Sequence, residues 1–194
     1  MRTATVKRKT RETDIELMIN LDGTGIANID TGIGFFDHML EGFARHGIFD
    51  LYVNVKGDLN VDGHHTVEDT GIVLGEALLE AVGDKEGMKR FGNFILPMDD
   101  ALVLCAVDFC GRPYLGFDLN IPAEQLGNFE TELVREFFLA VSNSAKMNLH
   151  VRQLAGENSH HIIEAAFKAF AKAMDQATGI DERISGVLST KGTL

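Results

Sequence analysis

Between Asp14 and Leu21 every second residue is apolar, Ile15, Leu17, Ile19 and Leu21, which is the period of a strand with one buried face. The run Asp22-Gly23-Thr24-Gly25 follows and predicts a hairpin from this strand into residues 26–30. Residues 3–8 predict a further strand. Phe35, Phe36, Met39, Leu40 and Phe43 then recur at helical spacing up to a stop near Gly47. Leu51, Val53 and Val55 return to the strand period. A second helix starts near His64-His65, carries Val67, Gly71, Ile72, Leu74, Leu78 and Leu79, and ends around Gly83.

The same order of elements returns in the second half, residue against residue. At a shift of 86, Asp14, Asp22 and Gly25 fall on Asp100, Asp108 and Gly111. At a shift of 98, residues 38–53 fall on 136–151, giving a helix through Phe137, Phe138 and Val141 and then a strand. At a shift of 96, His64, His65 and Glu68 fall on His160, His161 and Glu164, which open a helix through Ile162, Ile163, Ala166, Phe167, Phe170 and Met174. Small changes of shift require only loop insertions and deletions, so a tandem duplication is the economical explanation. The join lies near residues 84–93, with 1–90 as the first half and 91–194 as the second. Strands, helix, strand, helix in each half make the fold α/β in the α+β arrangement.

Composition narrows the function. The chain has 194 residues, 45% hydrophobic and 24% charged, long enough to bury roughly 70% of its unfolded surface without covalent staples. Its net charge of −11 repels nucleic acid and anionic membrane, so neither is an expected partner. The first fifteen residues lack an apolar segment of the signal-peptide kind, no later stretch reaches membrane-spanning length, and the expected location is the cytoplasm. Cys105 and Cys110 lie in and beyond an apolar run that reads as a buried strand, and their odd separation places them on opposite faces. They read as buried reduced thiols without a function.

Four of the seven histidines form two adjacent pairs, His64-His65 and His160-His161, each followed by a glutamate, Glu68 or Glu164. On a helix, positions three and four apart share a face, so each Glu can join a His of its own pair. Neighbouring His residues point about 100° apart and cannot easily serve one ion. The pattern therefore predicts two metal sites, each taking one His from each pair, completed by a Glu from each half. The first helix of each half predicts a further donor, since His38 aligns with Glu136. Imidazole and carboxylate without thiolate suit manganese, iron, cobalt, nickel or zinc alike.

A basic group points to an anionic substrate. Arg90 stands at the join, Arg112 in a Gly-Arg-Pro turn, Lys168 two helical turns past His161, and Ser189-Thr190-Lys191-Gly192 near the C-terminus. Hydroxyl, backbone N–H and ammonium groups on such a segment can enclose a phosphate. Thr31-Gly32-Ile33-Gly34 is more simply a helix-initiating turn than an anion nest. A non-catalytic metal store would account for the His and Glu residues but not for this basic group. Dinuclear metallohydrolysis is allowed by the ligand types alone.

Arg11-Glu12-Thr13, Phe36-Asp37-His38-Met39-Leu40, Asp62-Gly63-His64-His65-Thr66-Val67-Glu68-Asp69, Asn158-Ser159-His160-His161-Ile162-Ile163-Glu164 and Ser189-Thr190-Lys191-Gly192 occur in one order along the chain. In this the sequence resembles the imidazoleglycerol-phosphate dehydratases of histidine biosynthesis over essentially its whole length, in their monofunctional form. The resemblance implies that each half packs a four-stranded sheet against two helices, and that the activity converts imidazole glycerol phosphate to imidazole acetol phosphate. It implies two manganese ions per subunit, one held by His38, His65, Glu68 and His161 and the other by His64, Glu136, His160 and Glu164, with ligands from more than one subunit. At position 136 many relatives carry His where this chain has Glu. The resemblance further implies that Arg90, Arg112, Lys168, Ser189 and Lys191 bind the substrate phosphate region. Glu12 and His46 would contact substrate or move protons, with His38 also near the substrate and Glu164 a second candidate for proton transfer. Trimers assembling into a closed shell of about 24 subunits complete what it implies.

Overall fold

The computed structural model describes residues 2–194. The first half comprises β1 (Thr3–Lys9), β2 (Thr13–Asn20), β3 (Ala27–Asp30), α1 (Gly34–Gly47), β4 (Asp50–Gly57) and α2 (His64–Ala81). The second comprises β5 (Phe91–Met98), β6 (Ala101–Asp108), β7 (Tyr114–Asp118), β8 (Gln125–Leu126), β9 (Phe129–Glu130), α3 (Leu133–Ala145), β10 (Asn148–Ala155) and α4 (Ser159–Thr178). The halves build equivalent four-stranded sheets, ordered β1-β2-β4-β3 and β5-β6-β10-β7. In each, the last strand in the order runs parallel to its neighbour and the other pairs are antiparallel.

Strand alternation turns Ile15, Leu17 and Ile19 of β2 inward, and likewise Val103, Cys105 and Val107 of β6, all buried. Helices α1 and α2 cover the first sheet, α3 and α4 the second. Across the middle, α1 packs on α4 and α2 on α3. The first seam is aromatic, with Phe43 and Phe170 stacked at a centroid distance of 5.2 Å, and beside it Phe137 of α3 stacks on Phe167 of α4 at 5.1 Å, tying together the two helices of the second half. The second seam depends on small residues. A Cβ on Gly71 would sit 2.8 Å from the Phe137 carbonyl oxygen, and one on Gly75 would sit 2.7 Å from that of Val141. Helix α2 therefore lies against the backbone of α3 because two glycines, four apart, share the contacting face.

Three expectations need correction. The strand at residues 26–30 does not form a hairpin with β2: β4 lies between them, and β3 pairs with β4 in parallel. The cause is Asp50 at the start of β4, whose Oδ1 accepts the N–H of Thr24 at 2.8 Å and of Ile26 at 3.1 Å. These bonds draw the turn onto β4 and away from β2. Second, β2 and β6 superpose at a shift of 88, not 86, since Thr13–Asn20 corresponds to Ala101–Asp108. The shifts of 98 for α1–β4 and 96 for the helices bearing the His pairs agree with the observed elements. The step from 88 to 98 accommodates the small β8–β9 hairpin, which has no counterpart in the first half. Third, both cysteines are free and buried, but Cys110 lies past the end of β6, so strand parity does not place it.

Candidate functional site

Each His pair opens a long helix, and a polar side chain just upstream fixes that opening. The Asp62 carboxylate accepts the His64 N–H at 2.8 Å, and the Asn158 amide oxygen accepts the His161 N–H at 3.2 Å. As a result the pairs have nearly the same internal geometry, with ring centroids 6.1 Å apart and planes at 85° and 78°.

Helix α4 also contributes Glu164, one turn beyond His160, and α1 packs alongside so that His38 faces it. Glu164 is buried at 8% exposure. Its Oε2 lies 3.2 Å from His160 Nε2, and its Oε1 lies 3.8 Å from His38 Nε2 and 2.8 Å from Lys168 Nζ. Burial alone would raise the Glu164 pKa, but the Lys168 hydrogen bond and charge, together with His38 and His160, hold it below the ordinary glutamate value. His38, His160 and Glu164 place three donor atoms within 4.8 Å of one another, and among the described residues no other such group of three occurs. Two imidazole nitrogens and a desolvated carboxylate fit a divalent transition ion.

The other predicted ligands stand in separate pairs within one chain. His64 Nε2 is 3.4 Å from Glu68. His65 has Asp58 at 3.0 Å on Nδ1 and Glu12 at 3.7 Å on Nε2. His161 has Asp100 at 2.6 Å on Nδ1 and Asp99 at 3.4 Å on Nε2. Glu136 is paired with its neighbour Arg135 at 3.2 Å. His38 thus stands with His160 and Glu164, and not with His65, Glu68 and His161 of the same chain. His46, in the last turn of α1, is pushed below the usual histidine range by partial burial and by Lys168 and Lys172, against the opposing charge of Glu164.

The basic group divides in two. Arg90, Arg112, Ser189, Thr190 and Lys191 border one cavity of about 270 Å³. Arg90 is itself held bidentately by Asp108, at 2.6 and 3.1 Å, and its Nη1 donates to the Leu188 carbonyl at 2.9 Å, so it also fastens the C-terminal segment to β6. Lys168 belongs instead to the Glu164 cluster.

Sequence reasoning missed Asp58, Asp99 and Asp100. The available signal was the repeat itself: at the correct shift of 88, Glu12 falls on Asp100 and both carboxylates face the second His of a pair.

Fold and donors together define a class: duplicated two-sheet α/β proteins with a helix-borne imidazole–carboxylate cluster able to hold a divalent cation. Within that class, the family model for imidazoleglycerol-phosphate dehydratase matches residues 31–174. The imidazoleglycerol-phosphate dehydratase of Lachnoclostridium phytofermentans is 64% identical over 193 residues, covering 100% of this chain and 98% of that protein. The Acetivibrio thermocellus enzyme of the same name is 61% identical, with 97% of each covered. Solved structures of the dehydratases from Staphylococcus aureus and Pyrococcus furiosus superpose with TM-scores of 0.84 at 39% and 42% identity. They cover 92% and 97% of this chain and 99% and 100% of their own. The chain belongs to the imidazoleglycerol-phosphate dehydratase family.

Proposed function

We infer that this protein is a hydro-lyase of histidine biosynthesis that dehydrates imidazole glycerol phosphate to imidazole acetol phosphate. Family membership along the full chain carries the reading, and the His38–His160–Glu164 cluster supplies fitting chemistry.

The hydroxyl to be expelled lies on the carbon bearing the imidazole, and the hydrogen to be removed lies on the adjacent carbinol carbon, where no carbonyl acidifies it. A bound divalent cation supplies Lewis acidity toward the substrate's imidazole nitrogens. The chain's own groups do the rest. Glu12, exposed beside His65, and Glu164, buried beside Lys168, are the two carboxylates that accept the carbon-bound proton in this reading. The hydroxyl on the imidazole-bearing carbon leaves with a proton as water, and the resulting enol, which keeps its oxygen on the neighbouring carbon, tautomerises to the ketone. His46, held toward its neutral form by burial and nearby lysines, can accept a proton. Arg112, Ser189 and Lys191 bind the phosphate in this scheme, with Arg90 holding the segment that carries the last two.

The finer reading takes the two ions per subunit as manganese. One is held by His38, His65, Glu68 and His161 and the other by His64, Glu136, His160 and Glu164, with donors contributed by neighbouring subunits. In support, among the described residues only three donors meet within one chain. The second half also exposes Phe91, Phe94, Ile95, Tyr114 and Leu154, apolar surface of the sort that subunits cover. A trimer-based shell of about 24 subunits in the cytoplasm follows from the same reading. No helix among the described residues is long and apolar enough to cross a membrane.

The test is product analysis. Purified protein with imidazole glycerol phosphate and divalent metal should yield imidazole acetol phosphate with loss of water. Release of inorganic phosphate would identify a metallohydrolase, and metal uptake without turnover a storage protein.

A further inference from the structure

We propose that Asp100 and Asp58 are positioning residues that fix the His161 and His65 rings as Nδ1–H tautomers and so reserve each Nε2 for the metal ion. This rests on the reading of those two histidines as metal ligands. In both halves a carboxylate reaches the second His of the pair through the same ring nitrogen: Asp100 Oδ1 lies 2.6 Å from His161 Nδ1, and the two Asp58 oxygens lie 3.0 and 3.2 Å from His65 Nδ1. An ionised carboxylate only accepts hydrogen bonds, so Nδ1 carries the hydrogen and Nε2 keeps its lone pair. On the Nε2 side stand only the more distant carboxylates, Asp99 at 3.4 Å from His161 and Glu12 at 3.7 Å from His65.

The two aspartates differ in freedom, and that difference makes the proposal testable. The Oδ2 of Asp100 accepts the N–H groups of Glu157 at 2.7 Å and Asn158 at 3.0 Å. Those bonds aim Oδ1 at the ring and prevent rotation. In Asp100→Asn the amide oxygen stays with the two N–H donors, and the NH2 group is turned toward His161 Nδ1. An NH2 group donates, so the ring is forced into the Nε2–H tautomer and loses its outward lone pair. Among the described residues no backbone N–H binds the Asp58 carboxylate, so in Asp58→Asn the amide can rotate and present its oxygen to His65.

The experiment is titration of metal-stripped protein with Mn2+ alone against a chromogenic chelator, with a thermal melt of each variant. Asp100→Asn should bind one Mn2+ equivalent about 10- to 100-fold more weakly. Asp58→Asn should stay within about threefold of the parent, whereas Asp58→Ala should weaken binding about tenfold or more. A parent protein that takes up no Mn2+ removes the metal-ligand reading itself. A parent that binds Mn2+ while Asp100→Asn binds equally well overturns the positioning role, even if its melting temperature falls, because loss of the loop anchor alone would do that. Should Asp100→Asn fail to fold, the Asp58 variants decide: equal affinity in Asp58→Ala and Asp58→Asn overturns the proposal.

Discussion

Replacing Glu164 with Gln keeps the side-chain shape and removes the charge at the centre of the His38–His160–Lys168 cluster. In the metal-free protein the change leaves Lys168, 18% exposed in its side chain, without the carboxylate now 2.8 Å away. Breaking a fully buried pair costs about 3–5 kcal/mol. Lys168 sits at the margin of burial and can turn toward solvent, so about 1–2 kcal/mol is expected, or roughly 2–8 °C in Tm at 2–4 °C per kcal/mol for a chain of this size. The metal-bound protein is more informative. At a free metal concentration one hundred times Kd, binding to the native state adds about 2.7 kcal/mol, which is roughly 5–11 °C. If the variant binds a hundredfold more weakly, the same concentration adds only about 0.4 kcal/mol, or about 1–2 °C. The assay is a pair of melts for each protein, with chelator and with fixed excess Mn2+. The parent should show the large increment and Glu164→Gln the small one. If the variant kept the parent's full increment, Glu164 would not be a metal donor.

Glu136→Ala should lower occupancy of one of two metal sites and reduce turnover, while Glu136→His retains both metals and appreciable activity. Elemental analysis decides, because among the described residues the Glu136 carboxylate forms an ion pair with Arg135 alone, and replacing a charge so lightly engaged changes stability by no more than about 0.5 kcal/mol. Lys191→Ala should raise KM for the phosphate substrate roughly tenfold or more, from the loss of about 1.5–3 kcal/mol of charge-assisted hydrogen bonding, with metal content unchanged. Steady-state kinetics equal to the parent's would dissociate the cavity beneath the C-terminal segment from phosphate binding. Gly71→Ala gains about 1 kcal/mol of helix propensity but places a methyl 2.8 Å from the Phe137 carbonyl oxygen and 2.9 Å from the Ala140 Cβ. Overpacking of about 1–3 kcal/mol wins because one contact is backbone, so Tm should fall by several degrees in a melt; an unchanged or higher Tm contradicts the close α2–α3 seam.

Local pattern carried most of the fold and failed where non-local pairing decided. The alternation in β2 and the helical spacing from Phe35 to Phe43 give elements of the right type, because burial on one face is written directly into the order of residues. The partner of residues 26–30 was not legible. A turn-rich run between two strands has the chemistry of a hairpin, and only the Asp50 carboxylate, more than twenty residues downstream, shows that β4 lies between them. The shift of 86 had a related origin. It matched turn residues to one another, whereas the strands superpose on their inward positions, Ile15, Leu17 and Ile19 against Val103, Cys105 and Val107. An error of two preserves strand parity and leaves every buried face correctly assigned, so nothing in the hydrophobic pattern exposed it.

That error had its largest consequence at the site. Aligning Asp14 with Asp100 hid the equivalence of Glu12 and Asp100, two carboxylates in corresponding β-hairpin turns that meet the second His of each pair through different ring nitrogens. The histidines themselves were legible because adjacent pairs opening two helices form a local pattern. Their orienting carboxylates were not, because Asp58 and Asp100 reach the rings from separate loops, and in Asp100 the partner lies sixty-one positions away. An imidazole that is to offer Nε2 needs an acceptor on Nδ1, and any loop that arrives there can provide one. The first half draws that acceptor from the loop after β4, which leaves Glu12 on the Nε2 side. The second draws it from the β5–β6 turn, where Asp99 takes the Nε2 side. Equivalent rings are thus held by non-equivalent residues, so the repeat predicts where a carboxylate is required and only the packed structure determines which one supplies it.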